Sequence, residues 1–182
     1  TTLFRSLRGE LLEGQLRYWR QKLGSSGEGG VPETINLPFD HVRPSGEMTH
    51  AGGVVEFALS EEVVLGLERL MRKHGMTMYM VLLSALQIVL HRYSGDSVVL
   101  VGSPFANRRV SEVQEMIGFF VNTLVLQGRF GEPGLTVGGF LEQMRETVLE
   151  AYEHADLPFE ELVQALSVTR QANVNPLFQV MF

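Results

Sequence analysis

Apolar residues at Leu3, Phe4, Leu7, Leu11, Leu12, Leu16, Trp19 and Leu23 recur at three- and four-residue steps, which predicts an amphipathic helix over residues 3–23. Arg5, Arg8, Arg17, Arg20 and Lys22 make it locally basic, as a solvated face or a docking surface. Glu13 and Arg17 at i, i+4 support the helix itself. The Gly- and Ser-rich run 24–30 then breaks the pattern as a loop. Pro32, Pro38 and Pro44 with little periodicity between them predict an extended segment lying over other elements. The first predicted strand is Val54-Val55-Glu56-Phe57-Ala58-Leu59.

Ser60 followed by Glu61-Glu62 marks a helix start, with Val63, Leu67, Leu70 and His74 on one face and Gly75 as its stop. Thr77 caps a second helix, Met78 to Tyr93, apolar almost all round and therefore central to the core. After Gly95-Asp96, residues 97–102 read as a strand with no wet face. Ser111-Glu112-Val113-Gln114 fits a capping box for a short helix ending near Gly118, and Phe119 to Gln127 reads as another buried strand. Thr136 to about His154 predicts a long helix with Phe140, Met144, Val148 and Tyr152 stacked at four-residue steps. Pro158 sits in the first turn of a further helix to Leu166, and Asn175-Pro176 leads into a last strand. Strands alternating with helices indicate α/β layering, one mixed sheet with helices packed on it.

The chain has 182 residues, 45% hydrophobic and 20% charged, which fits one globular domain and excludes wholesale disorder. A net charge of −6 argues against nucleic acid as the main partner. The absence of cysteine excludes disulfides, Cys-based zinc sites and a Cys nucleophile, and is compatible with a reducing cytoplasm. The longest apolar stretch, residues 80–90, is too short to span a bilayer, so no membrane partner is expected. The first residues have no signal-peptide pattern, and the apolar end at Pro176–Phe182 reads as a piece cut from something longer.

No Gly-x-Ser-x-Gly elbow, His-Glu-x-x-His or phosphate-binding glycine loop occurs, and the five histidines are scattered. No catalytic residue and no metal site is therefore assigned. His74 and His91 read as cationic caps near helix C-termini. Strand alternation places Asn122 with Phe120, Leu124 and Leu126, so its buried carboxamide needs partners. It either ties a neighbouring loop to the strand or points into a polar tunnel. His154 to Glu160 is a polar hinge between two helices, where Asp156 would cap the second helix and Pro158 fix its entry angle. A catalytic His154 or Asp156 is the sharper alternative.

These segments together resemble the condensation domains of nonribosomal peptide synthetases. Met116-Ile117-Gly118-Phe119-Phe120-Val121-Asn122-Thr123-Leu124 is similar to the family's I-G-x-F-V-N-T, and His154 to Glu160 to its H-Q-D-x-P-F-E with Ala155 in place of Gln. Arg170 to Leu177 resembles R-D-x-S-R-N-P-L, with Gln171, Asn173 and Val174 departing from it. Further likeness lies in Tyr18-Trp19-Arg20, Leu37-Pro38-Phe39-Asp40, Arg43-Pro44, residues 90–95, Gly102-Ser103-Pro104 and Ala106-Asn107-Arg108.

The resemblance implies a two-lobed fold like that of chloramphenicol acetyltransferase. Residues 1–182 would form a partial C-terminal lobe, because the family's H-H-x-x-x-D-G motif belongs to the other lobe and no His-His pair exists here. Gly118, Phe120, Asn122, Thr123, His154, Asp156, Pro158, Glu160, Arg170, Asn175 and Pro176 would then build the floor and wall of a tunnel. The implied reaction is attack of an acceptor aminoacyl amine on a donor thioester. Both substrates ride on 4'-phosphopantetheine arms of donor and acceptor peptidyl carrier proteins, with an adjacent adenylation domain and a cytoplasmic setting. The intact F-V-N-T argues against epimerisation and heterocyclising relatives. A noncatalytic recruitment module and a freestanding coenzyme A-dependent acyltransferase are the alternatives. A lobe without its partner would expose apolar surface and self-associate.

Overall fold

A computed structural model describes residues 7–24, 34–41, 52–108, 111–168 and 174–182. In chain order its elements are α1 (Glu10–Gly24), α2 (Glu61–His74), α3 (Met78–Ser94), β1 (Val98–Phe105), α4 (Ser111–Gln114), β2 (Asn122–Arg129), α5 (Val137–Glu153) and α6 (Phe159–Ala165).

β1 and β2 form an antiparallel ladder running from Val98 opposite Arg129 to Phe105 opposite Asn122. Successive residues of each strand are buried, Val99–Leu100–Val101 and Leu124–Val125–Leu126 among them, so both faces of the ladder are covered. Two glycines on opposite faces show what covers each. A Cβ on Gly128 would collide with Gln87 Oε1 of α3 and stand 3.1 Å from the Phe140 ring of α5. A Cβ on Gly102 would collide with the Phe178 ring. The C-terminal segment then joins the outer edge of β1: Gly102 N–H donates to Val180 O at 3.0 Å and Phe182 N–H to Gly102 O at 2.9 Å. That parallel bridge beside the antiparallel ladder makes the pairing mixed.

The helix ends follow their local chemistry. Ser60, Thr77 and Thr136 accept from Val63, Met80 and Gly139 N–H, while Gly75 and Gly95 close α2 and α3 in the left-handed region. Trp19 and Leu23 of α1 and most of one side of α3 and α5 belong to the core. Of the extended segment, the described part 34–41 lies over other elements, with Ile35 N–H donating to Gln179 Oε1 at 2.9 Å and Asn36 N–H to Asp96 Oδ2 at 3.0 Å; Pro32, Pro44 and residues 25–30 lie outside the described residues. Among the described residues no single helix is long and apolar enough to cross a membrane.

Several expectations are corrected. Residues 54–59 pair with no strand among the described residues, and Val54 and Phe57 are 88% and 84% exposed, because β propensity without a neighbouring edge makes no ladder. α1 begins at Glu10 rather than Leu3: Gly9 takes φ +59° just before it, and residues 1–6 lie outside the described ones. On α2, Val63 is exposed, and only Leu67 and Leu70 of the expected apolar positions pack on the core. α4 stops at Gln114, and Ser111 is its first residue, bonded to Glu112 Oε2, so no capping box forms. β2 starts at Asn122, later than the apolar run suggests, with Phe119 83% exposed. His74 and His91 do sit in the last turns of α2 and α3, but their resolved partners are others: His74 faces Glu142 at 3.8 Å, and the His91 ring bonds Asp96 O at 2.8 Å while stacking on Phe130.

Candidate functional site

The start of β2, the hinge between α5 and α6, and the turn at Asn175 converge on one end of the ladder. Asn122 is their centre. Its Nδ2 donates to Ala155 O at 2.8 Å and Leu157 O at 2.7 Å, and its Oδ1 accepts from Thr123 N–H at 2.9 Å and Phe159 N–H at 3.2 Å. Two donor hydrogens and two lone pairs are all that a carboxamide offers, so Asn122 is saturated and ties the loop to the strand. Its side chain has no capacity left for a polar tunnel.

The same contacts correct the expectation for Asp156. Pro158 is the N-cap of α6 and supplies no side-chain cap, and the first free N–H of the helix, that of Phe159, goes to Asn122 from a different element. Asp156 is half-buried and Glu160 exposed. Phe159 packs at a tilt against Phe178, with ring centroids 5.6 Å apart, which brings the third segment to the other two. Asn175 shapes that segment: its Oδ1 accepts from Leu177 and Phe178 N–H at 3.1 and 3.3 Å beside half-buried Pro176. Arg170 lies outside the described residues.

His154 closes α5, and its ring is engaged in packing. Nδ1 bonds Glu150 O at 2.9 Å, and the face stacks on Tyr18 at 3.8 Å with an interplanar angle of 10°. Trp19 Nε1 donates to His154 O at 2.9 Å. α1 thus clamps the back of the hinge. Burial, reinforced by the Glu150 carboxylate, pushes the Tyr18 phenol well above its ordinary value, so it remains a donor at every physiological pH. Beside it a polar cavity of about 340 Å³ is lined by Tyr18, Gln21, Lys22, Arg129 and Glu150, with Lys22 Nζ 2.7 Å from Glu150 Oε2.

On the front, the connection between β1 and β2 carries Gly118, exposed, and Phe120, half-buried. A Cβ on Gly118 would come within 2.9 Å of the Phe120 ring, so only glycine allows that approach. Arg108 lies 4.2 Å above the Phe120 ring centroid. Trp19 and Arg108 fall outside the site residues expected from sequence. The one signal for them is their place in short segments of family likeness. No group of acidic or histidine side chains fit to hold a metal occurs among the described residues.

Comparison with known proteins fits this arrangement. One of the linear gramicidin synthase subunits of Brevibacillus parabrevis is 46% identical over 177 residues, 97% of this chain and 3% of that protein. One of the plipastatin synthase subunits of Bacillus subtilis (strain 168) is 45% identical over 174 residues, 96% of this chain and 6% of that protein. The chain therefore spans a small fraction of the relatives it matches. Among solved structures, a holo four-domain nonribosomal peptide synthetase bound to AMP and glycine superposes with a TM-score of 0.86 at 26% identity, over 97% of this chain and 13% of that one. A family profile described as the condensation domain matches residues 5–182, and the chain belongs to that family.

Proposed function

We propose that residues 1–182 form the greater part of the C-terminal lobe of a condensation domain in a peptide synthetase, and that the whole domain makes an amide bond. The acceptor aminoacyl nitrogen attacks the donor thioester carbonyl. A C–N bond forms, the C–S bond breaks, the donor arm leaves as a thiol, and the nitrogen gives up a proton. Donor and acceptor carrier proteins would present both substrates on 4'-phosphopantetheine arms, next to an adenylation domain and in the cytoplasm.

In this reading the present chain supplies shape. Asn122 holds the hinge against β2, Gly118, Phe120 and Thr123 border the passage, and His154, Asp156, Pro158, Glu160, Asn175 and Pro176 set the course of its wall. Arg170 belongs to the same wall by family likeness alone. The proton-handling histidine would come from the N-terminal lobe. The observation that carries the reading is the tie of two family segments through Asn122, with Phe178, just after the third, packed on Phe159 of the hinge. The apolar Ile117, Phe119, Val54 and Phe57 side chains are each exposed here, and a second lobe or a second copy would cover such residues.

Mixing this chain with loaded donor and acceptor carrier proteins should give no dipeptide, whereas the complete synthetase should give one. Product from the chain alone would overturn the division of labour between lobes.

A further inference from the structure

Residues 106–121 join adjacent antiparallel strands, yet they are far longer than a hairpin turn, and the described residues among them contain only the single turn of α4. Such a connection needs an internal anchor, and the structure has one. Asn107, 8% exposed, takes φ +47°, a left-handed conformation that asparagine tolerates and that bends the chain immediately before Arg108. The two N–H groups of Arg108 Nη1 then reach ahead to three backbone carbonyls, those of Val113, Gln114 at 3.1 Å and Met116 at 2.9 Å, with one hydrogen shared between two of them. The first two are carbonyls at the end of α4; that of Val113 also accepts from Met116 N–H at 3.4 Å, while no backbone donor is seen for Gln114 O among the described residues. Among the described residues no carboxylate pairs with Arg108, so these oxygens act as its counter-charge. The guanidinium plane meanwhile covers the Phe120 ring two residues before Asn122.

We propose that Arg108 is a positioning residue for amide formation, a clasp that holds residues 113–120 in the shape carrying Phe119 and Phe120 to the mouth of β2. The inference rests on the functional reading above. The hydrogen bonds of Arg108 and its ring contact all go to the connection it closes. Losing it should therefore loosen one segment without unfolding the chain. Side-chain chemistry gives a graded series. A lysine ammonium has three N–H donors for the three carbonyls but no plane to lay on Phe120, and glutamine has neither the charge nor the reach.

The test compares wild type, Arg108→Lys and Arg108→Gln in the complete synthetase, with amide formation from loaded carrier proteins as one readout. Amide hydrogen exchange over residues 113–120 and the melting temperature are the others. Arg108→Gln should lower kcat about ten-fold while leaving KM for the carrier-bound substrates near wild type. It should also speed exchange in 113–120 by about ten-fold, with β1 and β2 unaffected. Arg108→Lys should recover most of both losses. The proposal is overturned if Arg108→Gln turns over and exchanges like wild type, if its activity falls only together with the melting temperature, or if lysine recovers nothing. A wild-type synthetase that makes no amide would instead bring down the functional reading on which the proposal depends.

Discussion

Two segments meet at the same end of the ladder and are held by opposite means. The hinge at residues 154–159 is tied by a neutral carboxamide, buried, with every hydrogen-bonding position of Asn122 used and with Trp19 and Tyr18 behind it. The connection at residues 106–121 is tied by a charged, half-buried side chain beside solvent, with Ile117 fully exposed and Phe119 nearly so. A buried tie is costly to break, because each orphaned backbone group loses its partner where water cannot replace it. A surface tie shapes its loop at little cost to the whole, since water stands ready to solvate the freed carbonyls. The first is part of the folding unit, and the second adjusts a local form.

The contrast can be broken most directly at Asn122. Asn122→Ala strands Ala155 O, Leu157 O and Phe159 N–H together, and should cost about 3 kcal/mol in a urea unfolding titration. A loss below about 1 kcal/mol would mean that the hinge is no more integral than the loop. Trp19→Phe keeps an aromatic ring but deletes the indole donor to His154 O, and the same titration should record about 1.5 kcal/mol.

Tyr18 sharpens the comparison through pH. Its folded phenol is raised above the ordinary value of 10.0, first by burial and then by Glu150. Above that pH the unfolded chain loses a proton that the folded chain keeps, so this stabilisation is complete below 10 and declines as the solution becomes more alkaline. Tyr18→Phe should flatten the alkaline limb of a melting-temperature profile, and an unchanged limb would remove Tyr18 as its cause. The smallest effect belongs to the loop: Ile117→Ser should shift unfolding by less than about 0.5 kcal/mol, because that side chain is already in water.

What can be read from sequence is local. Ser60, Thr77, Thr136, Gly75 and Gly95 mark helix ends because each acts within four residues of itself. The buried strands are visible as apolar runs, but their limits are not: Phe119 and Val121 look like core residues in sequence and are exposed, since composition carries no record of which side finds a neighbour. The segment 54–59 fails for the same reason. At the site, the need of Asn122 for partners is legible from alternation, while the partners at the hinge lie more than thirty residues away. Asp156 looks like the cap of α6 because sequence offers only nearby candidates, and a strand from elsewhere takes the role.

Trp19 is the one tryptophan in the chain, and it is 2% exposed with its indole nitrogen fixed on His154 O. Intrinsic emission excited at the indole band therefore has a single source, seated against the back of the hinge. A red shift or a gain in quenching by a soluble quencher would signal that α1 had lifted from α5, with no label attached. The molecule carries its own optical gauge of the contact on which the buried tie leans.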